Sequence, residues 1–358
     1  MHINSKILCL IDALGPGGAE RQMVGLASML KRKGYEVKIV YFEPKNFFVH
    51  QLLNNGILVK YIDSSKGKLR LLKDIRWEVK LFSPEIVISY LQSSSIIACL
   101  LKLSGLKFKL IVSERNTNIG KSRRDIFRFN LFREADYVVP NSYSQQSFIN
   151  DHFPFLKDKN KVIVNFVDTE KFTPAKKKRG NLIVVVATIW PSKNAIGFIK
   201  ALKILKDKGF DFYVKWFGKV SDQNDYLRNC ETLIDELKLQ DYIVLLDKTQ
   251  DIAEEYRKAD YFCLPSFYEG TPNVICEAMA SGLPIACSNV CDNSKYVERG
   301  VNGFLFDPKN SNDIAMALEK MFTLEDVKYQ SFKKESRRKS IDNFSMNKFI
   351  NAYLELIR

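Results

Sequence analysis

Short runs of β-branched residues alternate with helical patterns along the chain, and this alternation limits the fold more than any other feature. Residues 6–12 predict a strand, residues 15–18 a glycine turn, residues 19–33 an amphipathic helix and residues 37–42 the next strand. A strand, a turn, a helix and a strand in this order predict parallel pairing with a right-handed crossover. We therefore predict an α/β protein with open parallel sheets, which bind ligands at the carboxyl ends of their strands.

Similar runs form two series with a polar stretch between them. Further strands of the first series are predicted at residues 57–62, 85–90, 110–113, 137–140 and 162–165. Strands of the second series are predicted at residues 182–188, 212–217, 242–246, 261–264, 284–288 and 303–306. Residues 168–181 are basic, contain proline and glycine and show no apolar period, which is typical of a linker. Because 358 residues exceed one ordinary core, we predict domains over residues 1–168 and 180–340, with a final helix within residues 345–358.

The composition describes a globular protein that needs an anionic partner. Apolar residues make up 46% and charged residues 27% of the chain, and the formal net charge is +14. Nucleic acid, a nucleotide-bearing substrate and an anionic membrane surface all satisfy such a charge. A nucleic-acid-binding protein would show a recognition helix, an aromatic platform or a zinc module. None is recognisable here, so we expect no nucleic-acid partner.

The cysteines and the apolar runs indicate the compartment. Seven cysteines are scattered, mostly in apolar runs, and no pair has zinc-ligand spacing. They predict reduced packing residues of a cytoplasmic protein without a metal site. The first strand is too short for a signal peptide, and no apolar run approaches the roughly 20 residues of a membrane-spanning helix. We expect a cytoplasmic protein that is soluble or lies on the inner face of the cytoplasmic membrane.

The stretch 266–284 carries two carboxylates, Glu269 and Glu277, directly after a short apolar run that predicts a buried strand. Thr271 and Pro272 are typical of a helix N-cap followed by proline at the first helical position. This places Glu269 on a turn and Glu277 on a helix, where an acid normally faces a ligand crevice. The alternative is a surface acid on an amphipathic helix. The neighbours of Glu277 are almost all apolar, however, and an unpaired buried carboxylate is costly.

Two other turns offer positive groups to an anion. Gly17 and Gly18 stand between a strand and a helix, where glycine amides and the helix dipole favour a phosphate, although a plain tight turn fits equally well. The turn lacks the G-x-G-x-x-G spacing of dinucleotide-binding proteins. In the second series Lys193 precedes Asn194, a candidate N-cap, so an ammonium beside a helix N-terminus favours a diphosphate. The alternative is a lysine that is only solvated.

Residues 121–133 are basic and aromatic at once, and Ile126, Phe129 and Phe132 fall near one helical face. Such a helix can lie in the interface of an anionic bilayer. The alternative is a crossover helix that packs the phenylalanines into the first domain. Residues 66–73 add further positive charge to the same half of the chain.

With these motifs in place, the sequence resembles the retaining nucleotide-sugar glycosyltransferases of family four, also called group 1. It is similar in particular to members that build bacterial polysaccharides and lipid-linked oligosaccharides, and the resemblance covers nearly the whole chain. Its most specific element is the glutamate pair in the stretch 266–284, with weaker matches at residues 17–21, 191–194 and 302–305. The resemblance implies the GT-B fold, in which two Rossmann-like domains with open parallel sheets face each other across a cleft. It also implies that the final helix docks back on the first domain.

The same resemblance implies a role for each motif. Glu277 would accept hydrogen bonds from the ribose of the donor, Glu269 would hold hydroxyls of the transferred sugar, and Lys193 would neutralise the diphosphate leaving group. The implied catalytic residues are Glu269 and Lys193, and the implied donor-binding residues are Gly17, Gly18, Thr188, Gly270, Thr271, Pro272, Asn273 and Glu277. No Asp-x-Asp metal motif occurs. We expect neither a metal nor a cofactor, with a UDP-sugar as the substrate.

Two positions depart from the family pattern. Thr188 stands where many members carry an arginine five positions before the lysine, which removes a cation from the diphosphate site. Arg21, Arg115 or Lys219 could compensate. Arg115 stands where many members have a histidine in the first domain, and we expect Arg115 and Asn116 to lie on the acceptor side.

We therefore expect a glycosyltransferase that moves a hexose or an N-acetylhexosamine from a nucleotide diphosphate to a lipid-linked or oligosaccharide acceptor. The resemblance implies retention of the anomeric configuration and a place in surface polysaccharide or glycan biosynthesis. A nucleotide-sugar epimerase with the same architecture would instead convert the donor without any acceptor. A catalytically inactive relative that binds sugar-nucleotides would be consistent with Thr188. An anionic membrane surface is a further expected partner.

Overall fold

The computed structural model describes residues 5–118, 120–219, 225–249 and 251–358. The chain divides into two compact units, one formed by residues 1–165 and 347–358 and the other by residues 166–346. The first four residues of the predicted first domain lie outside the described part.

The first unit is built on a parallel sheet. Its strands are β1 Lys6–Ile11, β2 Glu36–Tyr41, β3 Leu58–Tyr61, β4 Ile86–Tyr90, β5 Lys109–Glu114 and β6 Tyr137–Pro140. Its helices, in chain order, are α1 Gly18–Arg32, α2 Val49–Asn54, α3 Lys68–Phe82, α4 Gln92–Leu103, α5 Arg123–Leu131 and α6 Tyr143–His152. Among the described residues these strands form one six-stranded sheet in the order β3-β2-β1-β4-β5-β6.

The strands are apolar runs because helices cover a parallel sheet on both faces. Every residue of β4 is buried. Leu8 of β1, Val87 of β4 and Val112 of β5 belong to one buried cluster that also contains Phe129 of α5. The register pairs Cys9 with Ile39 on one side and with Ile88 on the other. This burial explains why the sequence predicts the central strands correctly.

The second unit repeats this architecture. Its strands are β7 Leu182–Val186, β8 Tyr213–Phe217, β9 Ile243–Leu246, β10 Tyr261–Leu264, β11 Ile285–Ser288 and β12 Gly303–Phe306. Its helices are α7 Ala195–Asp207, α8 Asp225–Glu236, α9 Ile252–Lys258, α10 Asn273–Ala280, α11 Asn293–Tyr296, α12 Ser311–Phe322 and α13 Asp326–Phe344. In the described part of this unit the parallel strands have the order β9-β8-β7-β10-β11-β12.

Both sheets have the Rossmann strand order 3-2-1-4-5-6, where the strands of each unit are numbered along the chain. The direction of winding reverses between β1 and β4 in the first unit and between β7 and β10 in the second. Ligands of such sheets bind beyond the carboxyl ends of the strands at this reversal. The loops after these four strands are therefore the places to look for a site.

The last helix is α14, Met346–Ile357. It lies in the first unit, where the hydroxyls of Tyr353 and Tyr90 are 2.8 Å apart. The ammonium of Lys109 donates to the carbonyl of Ile357 at 3.2 Å, which places a cation at the carboxyl end of the helix. The first unit is thus closed by a segment that follows the whole second unit in the chain.

Residues 162–165 do not form the strand that the sequence predicts. Lys161 N donates to Val138 O at 2.9 Å and Ile163 N donates to Pro140 O at 3.1 Å, so the segment runs along β6. An isolated bridge pairs Val138 with Asn160. The ladder stops there because the chain leaves the first unit after residue 165.

Candidate active site

Two loops meet at the carboxyl edge of the second sheet. One follows β7 and contains a single 3₁₀ turn, Pro191–Lys193, and the other follows β10 and leads into α10. Since β7 and β10 are neighbours in the sheet, their loops emerge side by side. The amide of Phe267 donates to the carbonyl of Ser192 at 2.9 Å and ties the two loops together.

Lys193 and Glu269 form an ion pair across these loops. The Lys193 ammonium lies 2.5 Å from Glu269 Oε1, and the side chains are 26% and 12% exposed. The two residues predicted to be catalytic are thus in direct contact. Because they are far apart in the chain, no local sequence pattern indicates this contact. The pair is accessible enough to meet a ligand and buried enough for its charge to act at short range.

Glu277 lies on α10 with 4% of its surface exposed, which agrees with the apolar neighbours in the sequence. The hydroxyl of Tyr256, on α9, lies 3.3 Å from both Glu277 Oε2 and Val274 O, and these two acceptors share its proton. Because a buried carboxylate requires hydrogen bonds, Tyr256 is part of the reason that Glu277 can occupy this position.

The predicted cap of α10 is wrong by one position. Pro272, not Thr271, is the N-cap residue, and Asn273 is the first residue of the helix. No side chain caps this helix end. The fixed φ of proline suits both positions, so the sequence pattern could not distinguish them. Gly270 is half-buried and Thr271 is buried, and they complete the loop that starts at Glu269.

The loop after β7 has a different geometry from the one predicted. Asn194 precedes α7, but it has a left-handed backbone with φ of 56° and its side chain does not cap the helix. The Asn194 amide instead donates to Pro308 O at 2.6 Å. Gly218 packs against the same loop, and a Cβ there would lie 2.2 Å from Ala187 O, so only glycine fits.

Helix α13 fixes the far end of α10. The guanidinium of Arg337 donates to Ala280 O at 2.7 Å, at the carboxyl end of α10. It also donates to Phe172 O at 2.7 Å and to Thr169 O at 3.0 Å. The buried hydroxyl of Ser340 donates to Cys276 O at 3.3 Å. Arg337 thereby links α10 to the segment through which the chain enters the second unit.

The position of the missing arginine is open to solvent. Thr188 is exposed in the loop after β7. Of the residues that could replace its charge in the same unit, Lys219 forms a 3.0 Å ion pair with Glu231. Lys193 therefore supplies the cation that stands nearest to the glutamates of the motif.

Gly17 and Gly18 lie at the start of α1 in the first unit, and Gly17 is its N-cap residue. The carboxylate of Glu20 folds over this turn, since a Cβ on Gly17 would lie 2.2 Å from Glu20 Oε2. A carboxylate at the third helical position interacts favourably with the amides and dipole of a helix N-terminus. An external anion at this turn would have to displace Glu20.

Arg115 lies in a cluster of the first unit that includes α14. Its guanidinium stacks 4.1 Å from the ring centroid of Tyr90 and donates to Tyr353 Oη at 3.0 Å. It also donates to Asn165 Oδ1 at 2.8 Å. Asn116, the next residue in the chain, is exposed. Arg115 thus links Asn165, the last residue of the first chain segment of this unit, to Tyr353 in its second segment.

The basic aromatic segment 121–133 packs in part against the first unit and is in part exposed. Phe129 and Phe132 are buried, as the crossover interpretation predicts, but Ile126 is 41% exposed and does not share their face. Arg128 is 2% exposed and forms ion pairs with Glu114 and Asp125. A buried arginine cannot contact a membrane, so the bilayer interpretation of this residue is wrong.

Sequence reasoning missed Tyr256 and Arg337. No motif surrounds Tyr256, whose role depends on the tertiary contact with Glu277. Arg337 lies in a charged sequence that reads as a solvated helix. A signal was nevertheless present, because the buried residues of α13 recur at helical spacing and include small hydroxyl side chains. They are Tyr329, Phe332, Ser336, Ser340 and Phe344.

The thiols near the site are not nucleophiles. Burial, reinforced by the Glu269 carboxylate, raises the pKa of Cys287 far above its usual value. Burial, reinforced by Glu277, likewise raises the pKa of Cys276. Both thiols stay protonated at neutral pH. Within the described ranges, no group of three His, Cys, Asp or Glu side chains is arranged to hold a metal.

Two Rossmann-like units, with a cation and two glutamates at the switch point of the second, define a two-domain glycosyltransferase, and comparison with known families agrees. The model described as Glycosyltransferase Family 4 matches residues 16–171, and the model described as Glycosyl transferases group 1 matches residues 166–339. The chain belongs to the group 1 glycosyltransferases and is a transferase enzyme.

Two relatives match this chain, one over nearly its whole length and one over about half of it, and a solved structure shares its fold. An alpha-1,4-N-acetyl-D-galactosaminyltransferase of Campylobacter jejuni, named for a PP-undecaprenol acceptor, is 24% identical over 98% of each chain. The UDP-Gal:alpha-D-GlcNAc-diphosphoundecaprenol alpha-1,3-galactosyltransferase of Escherichia coli is 30% identical over 54% of this chain and 53% of that protein. HepE of Anabaena, solved in complex with UDP and glucose, shares the fold with a TM-score of 0.87 and 19% identity, over 99% of each chain.

No helix in the described part of the chain combines the length and the apolarity needed to cross a bilayer.

Proposed function

We propose that this glycosyltransferase transfers a hexose or an N-acetylhexosamine from a UDP-sugar to a lipid-linked or oligosaccharide acceptor. The proposal includes retention of the anomeric configuration, independence of metal ions and a role in surface polysaccharide or glycan biosynthesis at the cytoplasmic side of a membrane. The observation that carries it is the contact between Lys193 and Glu269 at the switch point of the second sheet.

Lys193 has the chemistry that the leaving group requires. Cleavage of a sugar–diphosphate bond develops negative charge on the leaving oxygen, and a fixed cation lowers the barrier by stabilising that charge. An ammonium carries three N–H donors, of which one is directed to Glu269 Oε1. The remaining donors are available to the oxygens of the diphosphate, so Glu269 orients the cation without consuming it.

The two glutamates serve as anchors for the donor. An ionised carboxylate is a pure acceptor, which suits the hydroxyls of a sugar. Glu269, beside Lys193, is placed to hold the transferred sugar next to its leaving group. Glu277, with one oxygen in contact with the Tyr256 hydroxyl, is placed to accept from the ribose. Such fixed acceptors hold the anomeric carbon near the attacking hydroxyl.

The names of the relatives and the net charge of the chain support the proposed acceptor and the proposed donor. Two relatives are named for undecaprenol-linked acceptors, and one of them is named for UDP-Gal. HepE, which shares the fold, was solved with UDP. The formal net charge of +14 suits an enzyme whose substrates and surroundings are rich in phosphate.

The proposal is tested by direct transfer. Nucleotide-sugars are first screened by thermal shift, since a bound donor raises the apparent stability by mass action. The selected donor is then incubated with a polyprenyl-diphosphate-linked N-acetylhexosamine, with and without EDTA, and the anomeric configuration of the product is determined by NMR. We expect a UDP-sugar to be consumed only with the acceptor, with retention and in the presence of EDTA.

Each other result would contradict a defined part of the proposal. Conversion of the donor without acceptor would identify an epimerase. Tight binding of UDP-sugars without turnover on any tested acceptor would identify an inactive relative. Inversion at the anomeric carbon, or loss of activity in EDTA, would reject retention or metal independence.

A further inference from the structure

Helix α3 of the first unit presents large apolar side chains to solvent. Leu69 is 87% exposed, and Trp77 and Leu81 are each 68% exposed. These positions are separated by eight and four residues, so with Lys73 between them they follow one side of the helix. Exposed apolar residues scattered singly are ordinary, but three of this size along one helix call for a partner.

The same surface is positively charged. Lys73 and Lys80 lie on this side of the helix, and Lys68 is the first helical residue; all three are exposed, and in the part of the chain that the structure describes they form no ion pair. The acidic residues of α3 form ion pairs with other residues: Asp74 pairs with Arg70 at 2.9 Å, and Glu78 pairs with Lys38. The exposed side of α3 therefore carries uncompensated cations among apolar groups. We call the set Lys68, Leu69, Lys73, Trp77, Lys80 and Leu81 the α3 surface.

The opposite face of α3 anchors the helix firmly. Leu71, Ile75, Val79 and Phe82 are buried in the core of the first unit. The guanidinium of Arg76 donates to the carbonyl and to the hydroxyl of Ser104, each at 3.1 Å. The α3 surface is thus held rigidly outward, and its apolar groups cannot turn into the core.

The charge and the amphipathicity of the α3 surface together indicate which kind of partner binds it. A helix with Trp and Leu flanked by lysines is the pattern that lies in the headgroup region of an anionic bilayer. Tryptophan favours that interface, and each lysine gains from the negative surface potential. A second copy of this chain would bring like charges together, which weakens association.

We propose that the α3 surface docks this enzyme on the headgroup region of an anionic lipid bilayer. The inference deepens the proposed function, because a lipid-linked acceptor is found at such a surface. It places the membrane contact on α3, whereas Arg128 of segment 121–133 is buried and paired. Binding to vesicles needs neither donor nor acceptor, so a failure of docking is distinguishable from a failure of transfer.

The test is flotation of the full chain with vesicles of phosphatidylcholine, with and without phosphatidylglycerol. We expect flotation only with the anionic vesicles, weakening as salt is added. The K68Q/K73Q/K80Q variant should lower the partition coefficient roughly 100-fold, and Trp77→Ser roughly 10-fold. The matched control K107Q/K157Q/K161Q removes the same charge from exposed lysines elsewhere in the first unit and should float like the unchanged protein.

A spectroscopic arm locates the contact. The three tryptophans differ in exposure, with Trp216 fully buried, Trp190 at 54% and Trp77 at 68%. Anionic vesicles should shift the emission to the blue, and Trp77→Phe should abolish that shift. Thermal unfolding of each variant checks that the fold is intact, as expected for side chains outside the core.

Three results would overturn the proposal. The first is flotation of K68Q/K73Q/K80Q equal to that of the control variant. The second is loss of flotation in R123Q/R124Q with the α3 surface intact. The third is a dimer in solution, by light scattering, that Trp77→Ser dissociates, since a second copy would then occupy the surface.

Discussion

The Lys193 ammonium and the Glu269 carboxylate are 2.5 Å apart, although 76 positions separate them in the chain. The contact depends on the parallel pairing of β7 with β10, which brings both loops to one edge of the sheet. It also means that each residue fixes the other before a donor arrives. A change at either position therefore disturbs both the charge and the orientation of its partner.

Replacement of Lys193 should affect the chemical step most. We expect Lys193→Gln to lower kcat about 100- to 1000-fold, because it removes a fixed cation from the developing charge. Steady-state kinetics with the selected donor and acceptor measure this, and calorimetry with UDP measures binding. Lys200→Gln, at an exposed position of α7, is the matched control and should leave kcat unchanged. An undiminished kcat in Lys193→Gln would remove this residue from the mechanism.

Replacement of Glu277 should affect donor binding first. A hydrogen bond to a charged group contributes about 1.5–3 kcal/mol, so Glu277→Ala should weaken the donor complex about 10-fold or more. Tyr256→Phe removes one hydrogen bond to the same carboxylate and should cause a smaller loss, roughly 3- to 5-fold. Calorimetric titration with UDP and the UDP-sugar measures both. Unchanged affinity in Glu277→Ala would reject the ribose contact, and a shifted pH profile would point to acid–base catalysis instead.

Arg337 and its neighbour Arg338 provide a direct comparison. Arg337 donates to the carbonyls of Ala280, Phe172 and Thr169, so Arg337→Leu leaves several half-buried acceptors without a donor. We expect a loss of about 2–4 kcal/mol in the free energy of unfolding, measured in urea. The donor KM should rise as well, since α10 carries Glu277.

Arg338→Leu is the control for this effect. The Arg338 side chain is 58% exposed and pairs only at the surface of α13. Pairs that are exposed in this way contribute little to stability. Equal destabilisation by the two variants would mean that the contacts of Arg337 with the three carbonyls have no special value.

Asp125 should make the first unit sensitive to acid. Burial acts to raise the pKa of Asp125, but hydrogen bonds from Ser122 and from Arg128 outweigh it and hold the pKa below its usual value. The resulting stabilisation is present above the unfolded-state pKa of about 3.9 and is lost as the pH falls through the folded value. Asp125→Asn should therefore cost about 1 kcal/mol near neutrality and nothing at the acid end.

Urea unfolding at a series of pH values measures this dependence. Asp74→Asn removes a carboxylate from a surface pair with Arg70, and it should change the free energy of unfolding by less than about 0.5 kcal/mol at any pH. A deficit of Asp125→Asn that does not vary with pH would contradict the role of its ionised form.

Much of the fold is predictable because most of its strands are buried. The sequence predicts β10 and β12 with the bounds that the structure shows, and α14 as well. Residues 162–165 have the same composition as a strand, but whether they join a ladder depends on where the chain leaves the unit. Tertiary structure determines whether the segment joins the sheet, and no local sequence pattern indicates the outcome.

The site is predictable in its residues and not in its contacts. Glu269, Glu277 and Lys193 stand out from motifs, whereas their partners do not. Tyr256 comes from a separate helix and Arg337 from a helix with an ordinary charged sequence, because a hydrogen bond needs only proximity in space. The same reason explains Ile126, whose spacing suggested a shared face with Phe129 while the short helix α5 turned it to solvent.

The first unit is made from two separated pieces of chain, residues 1–165 and 347–358, whereas the second is continuous. During synthesis α14 is therefore translated after the whole of the second unit. Until that helix emerges from the ribosome, the hydroxyl of Tyr90 and the guanidinium of Arg115 have no Tyr353 to bind. The half of the protein that is translated first is thus the half that is completed last, reversing the usual order in which domains fold as they are made.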